Sequence, residues 1–164
     1  KYIKIFTLLD ESEVKTIVKD HLKEPHSRIL QNRLAKELTT LVHSSEDYDA
    51  AVLTSKILFG KGTTEMLRSL KEKEFLSIFD GVQKHKVNKE EFSEGIGILD
   101  LLADRTNILK SKGEARRSIN ERSLSINQEK IIDPELQIKK EFLLNDKYLL
   151  VQRGKKNKYL IIAD

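Results

Sequence analysis

Seven basic side chains, in two groups, have the type and spacing to do chemistry in this chain. Lys112, Arg116 and Asn120 recur every four residues after Ser111, with Arg117 beside them. On a helix that spacing places them on one exposed stripe, with Ala115 and Ile119 on a buried one. A helix beginning after Ser111 also presents free N–H groups and a partial positive charge at its start, which suit a phosphate. The second group is Arg153, Lys155, Lys156 and Lys158, at or beside the tip of an expected hairpin. Cations on a helix stripe and at a loop tip can meet a polyanion, and two such clusters within residues 94–164 point to nucleic acid. Solvated surface charge is the alternative reading of each cluster. Aromatic residues suited to base stacking are scarce there, because Tyr148 and Tyr159 fall within expected strands. Recognition of RNA backbone and shape is therefore expected, rather than readout by stacking.

No other residue set rises to a site. The chain has no cysteine, and His21, His26 and His43 do not form a metal-binding spacing. Gly60-Lys61-Gly62 only superficially resembles a phosphate loop, since position 55, where that pattern needs glycine, is Ser. No nucleophile–base set appears, so no catalytic residue and no metal ligand are expected.

The elements that must position the basic clusters follow from composition and periodicity. The chain has 164 residues, 34% of them charged, against about 25% in an average soluble protein. With 38% hydrophobic residues and no Trp, it can build a modest core but not a large enzyme cleft with its scaffold. Net charge is +4; residues 94–164 carry 14 Lys/Arg against 11 Asp/Glu, so most of the excess lies there. No run approaches the length of a membrane span. The chain starts Lys-Tyr-Ile-Lys, which reads as a piece of a longer protein.

The first part reads as helices. Asp10 and Glu13 fit a capping box ahead of Val14, Ile17, Val18 and Leu22. Pro25 suits the first turn of a second helix bearing Leu30, Leu34, Leu38, Leu41 and Val42 on one stripe. A third helix is expected from Ser44 to Phe59, stopped by Gly60-Lys61-Gly62, with short helical pieces near 64–70, 72–79 and after Asn88. After Gly95 the character changes. A helix is expected near 98–105, then one from Ser111, capped through Glu114, to about Arg122. Strand signals follow at 124–126 and 130–133 around a turn at Asn127, and at 148–151 and 159–162 around Arg153–Asn157. The expected fold class is α+β: a helical bundle over residues 1–93 and a small α+β unit over residues 94–164.

These residues also carry a resemblance. Phe6-Thr-Leu-Leu9, Pro25-His-Ser-Arg28, Leu41-Val42-His43 and Ser55-Lys-Ile-Leu-Phe59 resemble the helical anticodon-binding region of the bacterial tyrosyl-tRNA synthetase family. Ser111-Lys-Gly-Glu-Ala-Arg-Arg117, Ile126-Asn127 and Lys147-Tyr-Leu-Leu-Val-Gln-Arg-Gly-Lys-Lys-Asn157 are similar to its C-terminal S-four-type RNA-binding module. The resemblance covers nearly the whole chain in order. It implies a parent enzyme, an aminoacyl-tRNA synthetase of class I, that activates tyrosine with ATP and charges tRNA in protein biosynthesis. The family's H-I-G-H and K-M-S-K-S signatures are absent, so ATP and tyrosine would bind a catalytic domain outside this chain. The chain would grip the anticodon stem and long variable arm of tyrosine tRNA through Lys112, Arg116, Arg117, Arg153, Lys155, Lys156 and Lys158, with Arg122 and Lys130 as weaker candidates. The resemblance further implies a cytoplasmic protein that dimerises through the catalytic domain, with the fragment itself a monomer. Where the family often has Gly before the Ser-Lys helix, this chain has Thr106-Asn107; where it has Gly-Gly after that helix, this chain has Arg122-Ser123.

Two other readings stay open. A free-standing S-four-type RNA-binding factor, associated with the ribosome or RNA modification, would share the small module but not the match over residues 6–59. A helical protein-interaction module would use the amphipathic stripes of residues 11–59, which otherwise form the domain's own core.

Overall fold

The structure, a computed structural model, describes residues 2–59, 62–154 and 156–164. It divides into two compact units, residues 1–54 and 55–164.

The first unit holds α1 (Ile3–Phe6), α2 (Glu11–Lys23), α3 (Ile29–Val42) and most of α4 (Ser45–Leu58). Asp10 caps α2 as expected, its carboxylate accepting from the Glu13 N–H at 2.8 Å. Pro25 does not open α3. Pro25–Ser27 forms a separate 3-10 turn, and Arg28 then takes a left-handed conformation (φ 52°) before the helix begins. The leucine stripe of α3 is less buried than its periodicity suggests: Leu30, Leu34 and Leu38 are half-buried, and Leu41 and Val42 are exposed.

The second unit begins within α4 and continues through α5 (Thr64–Ser69), α6 (Glu72–Ile78), β1 (Gln83–Val87), α7 (Lys89–Glu94), β2 (Ile96–Gly97) and α8 (Ile98–Asp100). A π-turn at Leu101–Arg105 leads on to α9 (Lys112–Asn120), β3 (Leu124–Ile126), β4 (Glu129–Lys130), β5 (Gln137–Ile138), β6 (Tyr148–Arg153) and β7 (Asn157–Ala163). Five strands form one sheet in the order β1-β7-β6-β3-β4, with β1 parallel to β7 and the other pairings antiparallel. The boundary expected at 93/94 falls inside this unit. One cause is β1, whose residues pair along β7 from Gln83↔Tyr159 to Val87↔Ala163; ahead of it, Thr64 donates to the Asn127 carbonyl, Gln128 to the Ile57 carbonyl and Tyr148 to Glu72.

Strand pleating sorts the sheet's side chains between two faces. Leu149, Val151, Ile161 and Ala163 join Ala115 and Ile119 of α9 and Ile98, Leu101 and Leu102 in the main core. On the other face, Tyr148 packs on Phe75 of α6 with ring centroids 5.3 Å apart, and Leu150 and Leu160 are fully buried. The Tyr148 hydroxyl donates to Glu72 at 2.6 Å, and burial together with that bond pushes its pKa up to about 12. An unfolded tyrosine ionises near about 10. The stabilisation by the neutral phenol is therefore complete below that pH and is lost as pH rises through the folded value. Denaturant titrations of the wild type and Tyr148→Phe should accordingly show a stability difference that shrinks between pH 10 and 12.

Left-handed residues shape two of the turns. Asn107, standing where a glycine is usual, has φ 51°, so the turn before α9 survives. The turn between β3 and β4 consists of Asn127 (φ 49°) and Gln128 (φ 76°), the two positive φ values of a tight hairpin that follows the strands' twist.

Candidate nucleic-acid interface

The helix that was expected to carry half of the site forms as read. Ser111 caps α9 by accepting from the Glu114 N–H at 3.2 Å, Glu114 reaches back to the Lys110 N–H at 2.9 Å, and Ala115 and Ile119 are fully buried. Its outward cations, however, are largely occupied. The Lys112 ammonium sits 2.5 Å from Asp100 and 3.0 Å from Asp104, and hydrogen bonds to both, Asp100 first, raise its pKa. Arg116 pairs with Glu135 at 2.8 Å. Arg117 is exposed and makes no ion pair among the described residues.

The hairpin cluster is divided by the period of two along its strands. Arg153 shares its face with Val151 and reaches Glu114 of α9 at 2.8 Å. Lys158 lies on the opposite face, opposite Gln152, and its ammonium donates to the Leu58 carbonyl at the end of α4. Burial lowers its pKa. A cation there satisfies a carbonyl that the ending helix leaves unpaired. Gln128 does the same for the Ile57 carbonyl at 3.1 Å. Lys158 is thus a helix-capping residue rather than a tip residue. Lys156 is exposed and without an ion pair among the described residues, and Lys155 lies outside them.

The concentration of open positive charge lies in a groove that brings Lys156, one of the principal candidates, together with Arg122 and Lys130, the two weaker ones. Across the sheet, the register aligns Lys158, Gln152, Ser125 and Lys130 on β7, β6, β3 and β4 as one transverse row. This row floors a groove of about 1270 Å³ walled by Leu58–Phe59 and by Gly81–Gln83. Arg122, Lys130 and Lys156 line it, all three exposed, and no Asp or Glu is among its described lining residues. The absence of carboxylates separates this surface from α9, where every cation but Arg117 has a carboxylate partner among the described residues.

Arg122 has a further distinction. It follows α9 in a left-handed conformation (φ 52°), its N–H bonding the Ile119 carbonyl at 2.8 Å while the Ser123 N–H bonds the Ser118 carbonyl at 2.9 Å. This double closure ends many helices, with glycine the usual residue at the left-handed position. A residue with a Cβ costs about 1–2 kcal/mol there. An arginine held at such a position, with its side chain lining an uncompensated basic groove, is strain of the kind that collects at functional surfaces. The signal was present in the sequence as Arg122-Ser123 in place of two glycines.

An α+β module with a cationic groove across one sheet face, free of carboxylates among its described lining residues, has the charge distribution expected of a nucleic-acid-binding domain. Comparison with known proteins makes this specific. Residues 74–162 match the model of the tyrosine–tRNA ligase SYY-like C-terminal domain. Over its whole length the chain is 49% identical to the tyrosine–tRNA ligase of Porphyromonas gingivalis, of which it covers 38%. It is 47% identical over 163 residues to that of Bacteroides fragilis and 42% identical over 161 residues to that of Flavobacterium johnsoniae, covering 38% and 37% of them. The chain belongs to the bacterial tyrosine–tRNA ligase family and corresponds to its C-terminal part.

Proposed function

We propose that this chain is the tRNA-gripping portion of a tyrosine–tRNA ligase. It would hold the anticodon stem and long variable arm of tyrosine tRNA while a catalytic domain outside the chain joins tyrosine to the tRNA with ATP. The observation that carries this reading is the groove lined by Arg122, Lys130 and Lys156 with no carboxylate among its described residues. Arg117 of α9 extends the basic surface, whereas Lys112, Arg116 and Arg153 serve mainly to fasten α9 to its surroundings. Dimerisation through the catalytic domain and a place in the cytoplasm belong to the same proposal. The reading as a free-standing RNA-binding factor is disfavoured, because the likeness to tyrosine–tRNA ligases runs through the helical residues as well.

The test is the salt dependence of binding. Each phosphate neutralised by a cation releases counterions, so affinity falls linearly on logarithmic axes with salt. About three to four groove and α9 contacts predict a loss of roughly 40- to 150-fold in affinity for tyrosine tRNA between 50 and 200 mM salt. A tRNA with a short variable arm should bind more weakly at every salt concentration. A flat salt response would eliminate the electrostatic grip, and equal affinities would eliminate the variable-arm contact.

A further inference from the structure

We propose that the groove receives one unpaired nucleotide of the bound RNA, its base stacked on Phe59 and its flanking phosphates held by Arg122, Lys130 and Lys156. The inference rests on the RNA-binding reading and goes beyond it, because backbone contacts alone need no aromatic residue. Phe59 lines the groove and is 81% exposed, a large aromatic ring left in water beside three open cations. That pairing of a stacking platform with a positively charged channel is how proteins hold single-stranded nucleic acid. A base inside a duplex has both faces already stacked, so Phe59 can engage only a base turned out of the helix.

The groove's dimensions and floor agree. Its volume of about 1270 Å³ is ample for a base with its sugar and neighbouring phosphates. The transverse row places an amide and a hydroxyl, Gln152 and Ser125, between Lys130 and Lys158. Neighbouring strands lie about 4.8 Å apart, so the row spans roughly 14 Å from lysine to lysine. The orientation of the Gln152 amide is set by its nitrogen, which donates to the Gly154 carbonyl at 2.8 Å. Its oxygen is buried and has no partner among the described residues. Unpaired buried acceptors are rare in folded proteins, and a base edge bearing an N–H group would supply the missing donor.

The experiment compares two hairpin RNAs that differ only in a single bulged 2-aminopurine nucleotide, titrated with the 164-residue chain at fixed salt. The bulged hairpin should bind about tenfold more tightly than the fully paired one, with quenching of the 2-aminopurine fluorescence as its ring stacks. Phe59→Ala should abolish both the preference and the quenching and leave affinity for the paired hairpin unchanged, while Phe59→Tyr should retain both. Because Phe59 is exposed, its replacement does not endanger folding. Equal, salt-sensitive binding of both hairpins by the wild type, or a Phe59→Ala protein that keeps the preference, overturns the nucleotide site and leaves the RNA grip standing. Binding of neither hairpin nor of tyrosine tRNA overturns both.

Discussion

Replacing Asn127 with alanine is expected to destabilise the second unit by about 3–4 kcal/mol, an exceptional loss for a single side chain. Asn127 is 3% exposed, and its side chain closes two bonds at once: its nitrogen donates to the Phe142 carbonyl at 2.6 Å, and its oxygen accepts from the Leu150 N–H at 3.0 Å. Its backbone adds an N–H bond to the Leu150 carbonyl at 2.8 Å and accepts from the Thr64 hydroxyl at 2.6 Å. One residue therefore joins the β3–β4 turn to strand β6, to the segment before it and to α5. Alanine would leave the Leu150 N–H and the Phe142 carbonyl without partners, and each unsatisfied buried group costs about 1–3 kcal/mol. The φ of 49° adds a penalty, since alanine tolerates the left-handed region less well than asparagine. Urea denaturation followed by circular dichroism measures the difference. Asn127→Gly should lose less, because glycine removes the backbone penalty while forfeiting the same side-chain bonds. A loss below about 1 kcal/mol for alanine would show that water replaces those bonds at little cost.

The largest expected effect on binding comes from the groove. Reversing charge at Lys130 and Lys156 together (Lys130→Glu with Lys156→Glu) should weaken tyrosine-tRNA binding on the order of 100-fold and lower the salt slope by about two. Both side chains are exposed and unpaired among the described residues, so thermal melting should be unchanged. Arg116→Gln provides the contrast. Arg116 already faces Glu135 at 2.8 Å, so its charge is largely compensated and binding should change by no more than about threefold. If Arg116→Gln proved as damaging as the double reversal, the α9 stripe and not the groove would be the principal contact. Kd values measured at several salt concentrations for the three proteins decide between these outcomes.

Much of this fold was legible in the residues because local chemistry dictated it. The Ser111–Glu114 capping pair, the Ala115 and Ile119 stripe and the alternation in Tyr148–Val151 and Tyr159–Ile162 each act within a few residues, and each element appears where expected. Strand β1 was not legible. Gln83-Lys-His-Lys-Val has no apolar alternation, because it is an edge strand with mostly exposed side chains and gains its order by parallel pairing with residues 76 positions away. That pairing, with the bonds that tie Ile57, Thr64 and Glu72 to Gln128, Asn127 and Tyr148, places residues 55–93 in the second unit.

The sequence by itself determined the family, the helix and hairpin of the C-terminal unit, and the presence of excess positive charge. Only the tertiary structure decided which cations remain available. Lys112, Arg116 and Arg153 meet Asp100, Glu135 and Glu114, partners that lie outside their own clusters. Lys158 meets a carbonyl 100 positions distant. Spacing along a chain reports which residues share a face. Whether a charge on that face is neutralised depends on which distant segment folds against it, and that is settled by the packing of the sheet between α9 and α6.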